Sequence, residues 1–231
     1  MLSLVIPVYR NEASLDALLA AMEGLHRELG AELEIVFVVD GSPDRCYELL
    51  RERLPACPFG SQLVLLSRNF GSFSAIRQGL VVGTGSHFAV LAADLQEPPE
   101  LAIQMYRTLR NEPCDVVVGT RESRDDPLFS RLASDLFWAV YRRYVMPEVP
   151  RGGVDIFACN RPFRDQLIAL PEQHSSLISQ IFWMGFRRKE VGYARRAREH
   201  GKSAWTLQKR LRYLADSVFA FTDLPIQLLI R

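Results

Sequence analysis

The sequence predicts an α/β fold, a mainly parallel sheet with helices on both faces. Two observations carry this. Short β-branched runs alternate with helical patterns through the first 120 of 231 residues. Those runs are also near-continuously apolar, as strands buried on both faces must be. Residues 2–8 read as the first strand, and residues 14–29 as an amphipathic helix with Leu15, Leu18, Leu19, Met22, Leu25 and Leu29 on one face. An apolar strand at 34–39, a helix at 44–54, a strand at 63–66 and a helix at 72–80 follow. Residues 87–93 make a fourth strand, 100–110 a helix and 115–118 a fifth strand. After Thr120 the rhythm changes: a long helix at 130–145, a short strand at 154–159, helices at 164–170 and 175–184, a last strand at 190–194 and a helix at 204–221. No internal repeat or low-complexity linker interrupts the chain.

A chain of 231 residues suits one large domain, or one domain with an appendage. With 48% hydrophobic residues and a net charge of +1, the totals suggest neither a disordered chain nor a nucleic-acid partner. Cys46, Cys57, Cys114 and Cys159 form no C-x-x-C pair and no zinc spacing, so they read as incidental thiols in a reducing compartment. The chain enters its first strand directly, which reads as no secretory signal. No window holds the ~18 consecutive apolar residues that would span a bilayer.

The most informative stretch is Asp94-Leu95-Gln96-Glu97-Pro98-Pro99-Glu100, directly behind an apolar strand. It sets oxygen donors at a sheet's carboxyl edge, where open α/β sheets bind ligands. Such hard donors suit Mg²⁺ or Mn²⁺ held against phosphates, and the two prolines stiffen the loop. The same residues also fit a strand end whose Asp and Pro open the next helix. Two further strand ends, Ile6-Pro7-Val8-Tyr9-Arg10-Asn11-Glu12 and Val39-Asp40-Gly41-Ser42-Pro43-Asp44, offer an aromatic ring and carboxylates. Together they can pocket a base and ribose, since a carboxylate accepts from an imide or a hydroxyl; a plain turn is the other reading of Asp40-Gly41-Ser42. No G-x-G-x-x-G follows the first strand, which argues against a dinucleotide oxidoreductase.

These segments occur in order with Arg68-Asn69-Phe70-Gly71 and Val118-Gly119-Thr120-Arg121. As a set they closely resemble the family 2 inverting glycosyltransferases with the GT-A (Rossmann-like) fold. Within that family they look like the polyprenyl-phosphate glycosyltransferases, the dolichyl-phosphate mannose synthase and bactoprenol glucosyltransferase groups. The resemblance implies a metal-dependent hexosyltransferase that moves a sugar from a nucleotide donor, UDP-linked by expectation, to undecaprenyl phosphate. It places Pro7, Tyr9, Glu12 and Asp40 around the nucleoside, and Asp94 and Gln96 on a Mg²⁺ or Mn²⁺ ion that bridges the diphosphate. Arg131 and Ser134, with Arg121 after the fifth strand, would hold the acceptor phosphate, whose oxygen is already anionic and has little need of a strong base; solvated surface arginines are the other reading of Arg121 and Arg131. Asp155 would stand near the sugar, to orient a hydroxyl or assist the acceptor, with a structural turn as its other reading, and Arg198, Lys202 and Ser203 would lie in a loop closing over the diphosphate. Two departures stand out. Dolichyl-phosphate mannose synthases read Asp-Ala-Asp-Leu-Gln where this chain has Ala92 in the first position, so one carboxylate is missing from the expected metal shell. Ala204 stands where the closing loop's lysine is expected.

On this reading residues 1–200 form the catalytic domain, and 201–231 the closing loop and a C-terminal amphipathic helix. Lys209, Arg210 and Arg212 flank an apolar stripe of Leu207, Leu211, Leu214, Val218, Phe219 and Phe221. A basic amphipathic helix of this kind lies on anionic membranes, although packing on its own domain or in a homo-oligomer uses the same face. The expectation is attachment at the cytoplasmic face of the inner membrane, either peripheral or through segments absent from this chain. Two alternatives remain at this stage: a soluble family 2 enzyme acting on a saccharide hydroxyl, and a catalytically impaired scaffold that only binds nucleotide-sugar.

Overall fold

The computed structural model describes residues 1–121, 139, 141–143, 146–150, 154, 156–170, 176–195, 215–219, 222 and 230. Its strands are β1 (Leu2–Val8), β2 (Leu33–Val39), β3 (Gly60–Leu65), β4 (His87–Val90), β5 (Val116–Arg121), β6 (Phe157–Asn160) and β7 (Arg188–Tyr193). They form one sheet in the order β3-β2-β1-β4-β6-β5-β7. Every neighbouring pair is parallel except the two that β6 makes, with β4 and β5. Helices α1 (Leu15–Leu29), α2 (Cys46–Arg53), α3 (Ser72–Val82), α4 (Glu100–Asn111), α5 (Arg161–Ala169) and α6 (Leu177–Trp183) connect or cover them.

Side chains alternate across a strand, so each strand feeds two cores. Leu2, Leu4, Ile6 and Val8 of β1 join Leu15, Leu18 and Met22 of α1 on one face of the sheet. Val5 joins Ala75, Ile76 and Leu80 of α3, with Phe157 and Phe163, on the other. At α3 the helix presses on the sheet: a Cβ on Gly79 would lie 2.3 Å from Val5 Cγ1 and 3.2 Å from Val38 Cγ2. Gly79→Ala is therefore expected to destabilise by about 1–3 kcal/mol through overpacking, against the roughly 1 kcal/mol that alanine adds to helix propensity. A urea midpoint equal to or above wild type would contradict that packing.

Several boundaries move, each for a local reason. β3 begins at Gly60, earlier than the apolar run at 63–66, because an edge strand accommodates exposed Gly60 and Ser61. β4 ends at Val90; the chain then turns out of the sheet, with Leu91 N–H still donating to Val5 O at 3.0 Å. α5 starts at Arg161 because Asn160 caps it, accepting from Phe163 N–H at 3.0 Å, with Pro162 in the first turn. β7 begins at Arg188, two residues before the expected strand. Of the helices expected at 130–145 and 204–221, residues 139, 141–143 and 215–219 are helical, and most of the remainder lies outside the described residues. The boundary expected near residue 200 lies outside them too.

All four cysteines are free. Burial, with hydrogen bonding to Asp44 second, pushes the Cys46 thiol up to about 12, and burial pushes Cys159 higher still. Both stay protonated and inert at neutral pH. Among the described residues no helix is long and apolar enough to cross a membrane.

Candidate active site at the carboxyl edge

Parallel strands deliver their carboxyl ends to one edge of the sheet. The loops after β1, β2, β3 and β4 meet there, with Arg121 at the end of β5 and Arg195 just past β7. Because β6 runs antiparallel, its amino end, preceded by Val154 and Ile156, reaches the same edge.

The first three loops are knitted together by polar side chains. Arg10 N–H donates to Ser42 Oγ at 2.7 Å, and Glu12 N–H donates to Asp44 Oδ2 at 3.2 Å. In return Glu12 Oε2 accepts from Arg45 N–H at 2.9 Å. Asp40, 2% exposed, accepts from Phe70 N–H through Oδ1 and from Gly71 N–H through Oδ2, both at 2.8 Å. Gly41 makes the close approach of these loops possible. Its φ is +54°, and a Cβ there would lie 2.3 Å from the Arg68 carbonyl carbon.

Asp44 anchors this clasp. Burial pulls its carboxyl upward, but hydrogen bonds from the Ser42 hydroxyl, Cys46 and Glu12 N–H outweigh it and hold the group below the usual carboxylate range. A depressed folded value means the stabilisation is present above the unfolded pKa of about 3.9 and is lost as pH falls through the folded value. Urea midpoints of wild type and Asp44→Asn should therefore differ at pH 7 and converge below about pH 4. A gap that stays constant with pH would assign Asp44 no such role.

The fourth loop carries the oxygen donors. Among the described residues two non-glycine positions have positive φ, Arg10 at +57° and Leu95 at +53°. Both lie in loops of this edge, and such left-handed backbone persists where the surroundings demand it, often at functional sites. Leu95 turns the chain so that Gln96 N–H donates to Asp94 Oδ1 at 3.3 Å. Gln96 Oε1 accepts from Arg195 Nη2 at 2.6 Å, and Arg195 Nε lies 3.6 Å from Oε1 of the buried Glu97.

These oxygen donors bear on one kind of ligand, a divalent cation. No cluster of three or more His, Cys, Asp or Glu able to hold a metal occurs among the described residues. A small hard cation that keeps waters and takes one or two protein oxygens plus substrate phosphates needs no such cluster. Asp94 and Gln96 would suit that pattern if phosphates and water supplied the remaining ligands.

Of the residues expected from the sequence, Pro7, Tyr9, Glu12, Asp40, Asp94, Gln96 and Arg121 all come to this edge. Tyr9 is half-buried, with the Arg10 guanidinium 5.4 Å from its ring centroid. The Glu12 and Asp40 carboxylates do something the sequence does not reveal: they bind neighbouring loop backbones. Each Asp40 oxygen retains a second lone pair after doing so. Arg131, Ser134, Asp155, Arg198, Lys202 and Ser203 lie outside the described residues. Arg195 is the residue that sequence reasoning missed. It was one cation in a basic run, and only its place just past the last parallel strand could have singled it out.

Residues 3–170 match the family described as "Glycosyl transferase family 2". Undecaprenyl-phosphate 4-deoxy-4-formamido-L-arabinose transferases from Pseudomonas paraeruginosa and Aeromonas hydrophila are each 34% identical, over 231 and 235 residues. The matches cover 99% of this chain and 67% and 70% of those proteins, which extend beyond it. In fold, the chain is similar to glucosyl-3-phosphoglycerate synthase from Mycobacterium tuberculosis in complex with Mn²⁺, UDP and glucosyl-3-phosphoglycerate. That likeness has a TM-score of 0.61 at 19% identity, over 95% of this chain and 77% of that one. By the family match over residues 3–170 and the 34%-identical relatives, the chain belongs to glycosyl transferase family 2.

Proposed function

We propose that the protein transfers a sugar, with inversion, from a UDP-sugar to undecaprenyl phosphate at the cytoplasmic membrane face, using Mn²⁺ or Mg²⁺. The observation that carries this reading is the clasped edge itself: three loops locked together by Glu12, Asp40 and Asp44 beside a loop that offers Asp94 and Gln96. The names of the 34%-identical relatives support the lipid-phosphate acceptor.

In this reading Pro7 and Tyr9 flank the nucleobase, and the remaining lone pairs of Asp40 and Glu12 face the nucleoside. Asp94 and Gln96 hold the metal, which when bound neutralises charge on the departing diphosphate. Arg121 supplies a guanidinium fork for the acceptor phosphate. Arg131, Ser134 and Asp155 keep the acceptor and sugar roles that the resemblance implies, and Arg198, Lys202 and Ser203 that of closing over the diphosphate. Because the acceptor oxygen is already anionic, the protein's contribution is positioning and charge.

The test is partition of label. Incubated with radiolabelled UDP-sugars, Mn²⁺ and undecaprenyl phosphate in detergent, the protein should move label into the organic phase. Label appearing on an added saccharide would instead identify a hydroxyl acceptor. Nucleotide-sugar binding without any transfer would identify a scaffold.

A further inference from the structure

The Arg195 guanidinium holds the oxygen that the metal needs. Its Nη2 donates to Gln96 Oε1 at 2.6 Å across 99 positions of sequence. Its Nε is buried and lacks a hydrogen-bond acceptor among the described residues; Glu97 Oε1, at 3.6 Å, holds it by charge alone. A divalent cation on Gln96 Oε1 would crowd this guanidinium on the same oxygen, and the two would repel. An incoming diphosphate offers the guanidinium a hydrogen-bond acceptor for Nε, with anionic oxygens in a forked geometry.

We infer that Arg195 couples metal loading to diphosphate binding: it blocks Gln96 Oε1 until a diphosphate draws the guanidinium away, and the vacated oxygen then takes the metal. Arg195 is thus a positioning residue for the metal as well as a contact for the donor. The inference rests on the proposed role of Asp94 and Gln96 as metal donors.

The test is Mn²⁺ binding to the full chain, followed by electron paramagnetic resonance and corrected for Mn²⁺–UDP complex in solution. Saturating UDP should tighten Mn²⁺ binding by wild type at least about tenfold, within the usual range of coupling between sites. R195Q should bind Mn²⁺ about tenfold more tightly than wild type without UDP, as changes beside a metal ligand commonly do in magnitude, and its coupling to UDP should fall by about the same factor. R195K keeps the charge near Glu97 but has no fork to hold Gln96. It should tighten UDP-free Mn²⁺ binding by about threefold, which serves as the test if R195Q does not fold. Unchanged Mn²⁺ affinity in the folded variants, or weaker affinity without UDP, would overturn the inference while leaving the sugar-nucleotide reading intact. Failure of wild type to bind Mn²⁺ and UDP even together would overturn both.

Discussion

Asp94→Asn is expected to reduce sugar transfer by about 10²–10³-fold, the usual loss when one preorganised group that stabilises developing charge is removed. The substitution preserves shape, and its amide oxygen can still accept from Gln96 N–H, so what is lost is negative charge at the proposed metal donor. The effect belongs at the high end because Ala92 leaves no second carboxylate at the start of this motif. Stability should change by no more than about 0.5 kcal/mol, since a half-buried loop residue is being exchanged for its isostere. Full metal-dependent activity in Asp94→Asn would show that this strand end does not hold the metal.

Asp40→Ala is expected to give the largest loss of stability among the site residues. Two backbone N–H groups, of Phe70 and Gly71, donate to a carboxylate that is 2% exposed. Hydrogen bonds to a charged group contribute about 1.5–3 kcal/mol each, so a loss of roughly 3–5 kcal/mol follows once partial rehydration of the loop is allowed for. The β3–α3 loop would also lose its anchor against Gly41, and nucleotide affinity should fall with stability. Urea unfolding and UDP titration of the same variant check both. Weakened UDP binding at unchanged stability would mean that Asp40 serves the nucleoside alone. The reverse would mean that it only shapes the loop.

The sheet was legible because β1, β2, β4 and β5 are apolar nearly throughout, a pattern only doubly covered strands need. β3 was legible in part, since its edge position lets Gly60 and Ser61 replace apolar residues without penalty. The reversal of β6 was not legible, because alternation and propensity are the same for either direction of a strand. At the candidate site, residue type and strand-end position put Asp40, Asp94 and Gln96 at the carboxyl edge of the sheet, where the structure has them. Contacts made across the fold were beyond reach. Glu12 bonding to Arg45 N–H, Asp40 bonding to the loop 30 residues on, and Arg195 on Gln96 each depend on which loops the topology makes neighbours. The left-handed turn at Leu95 was hidden as well, since nothing in a leucine advertises a positive φ.

Sugar transfer to a lipid phosphate leaves a defined lipid product that mass spectrometry reads. Undecaprenyl phosphate incubated with the protein, UDP-sugar and Mn²⁺ should gain the mass of one sugar residue, attached through its phosphate, and should gain nothing when EDTA is present. Unmodified undecaprenyl phosphate recovered alongside a glycosylated saccharide, or a product that forms equally well in EDTA, would contradict the account.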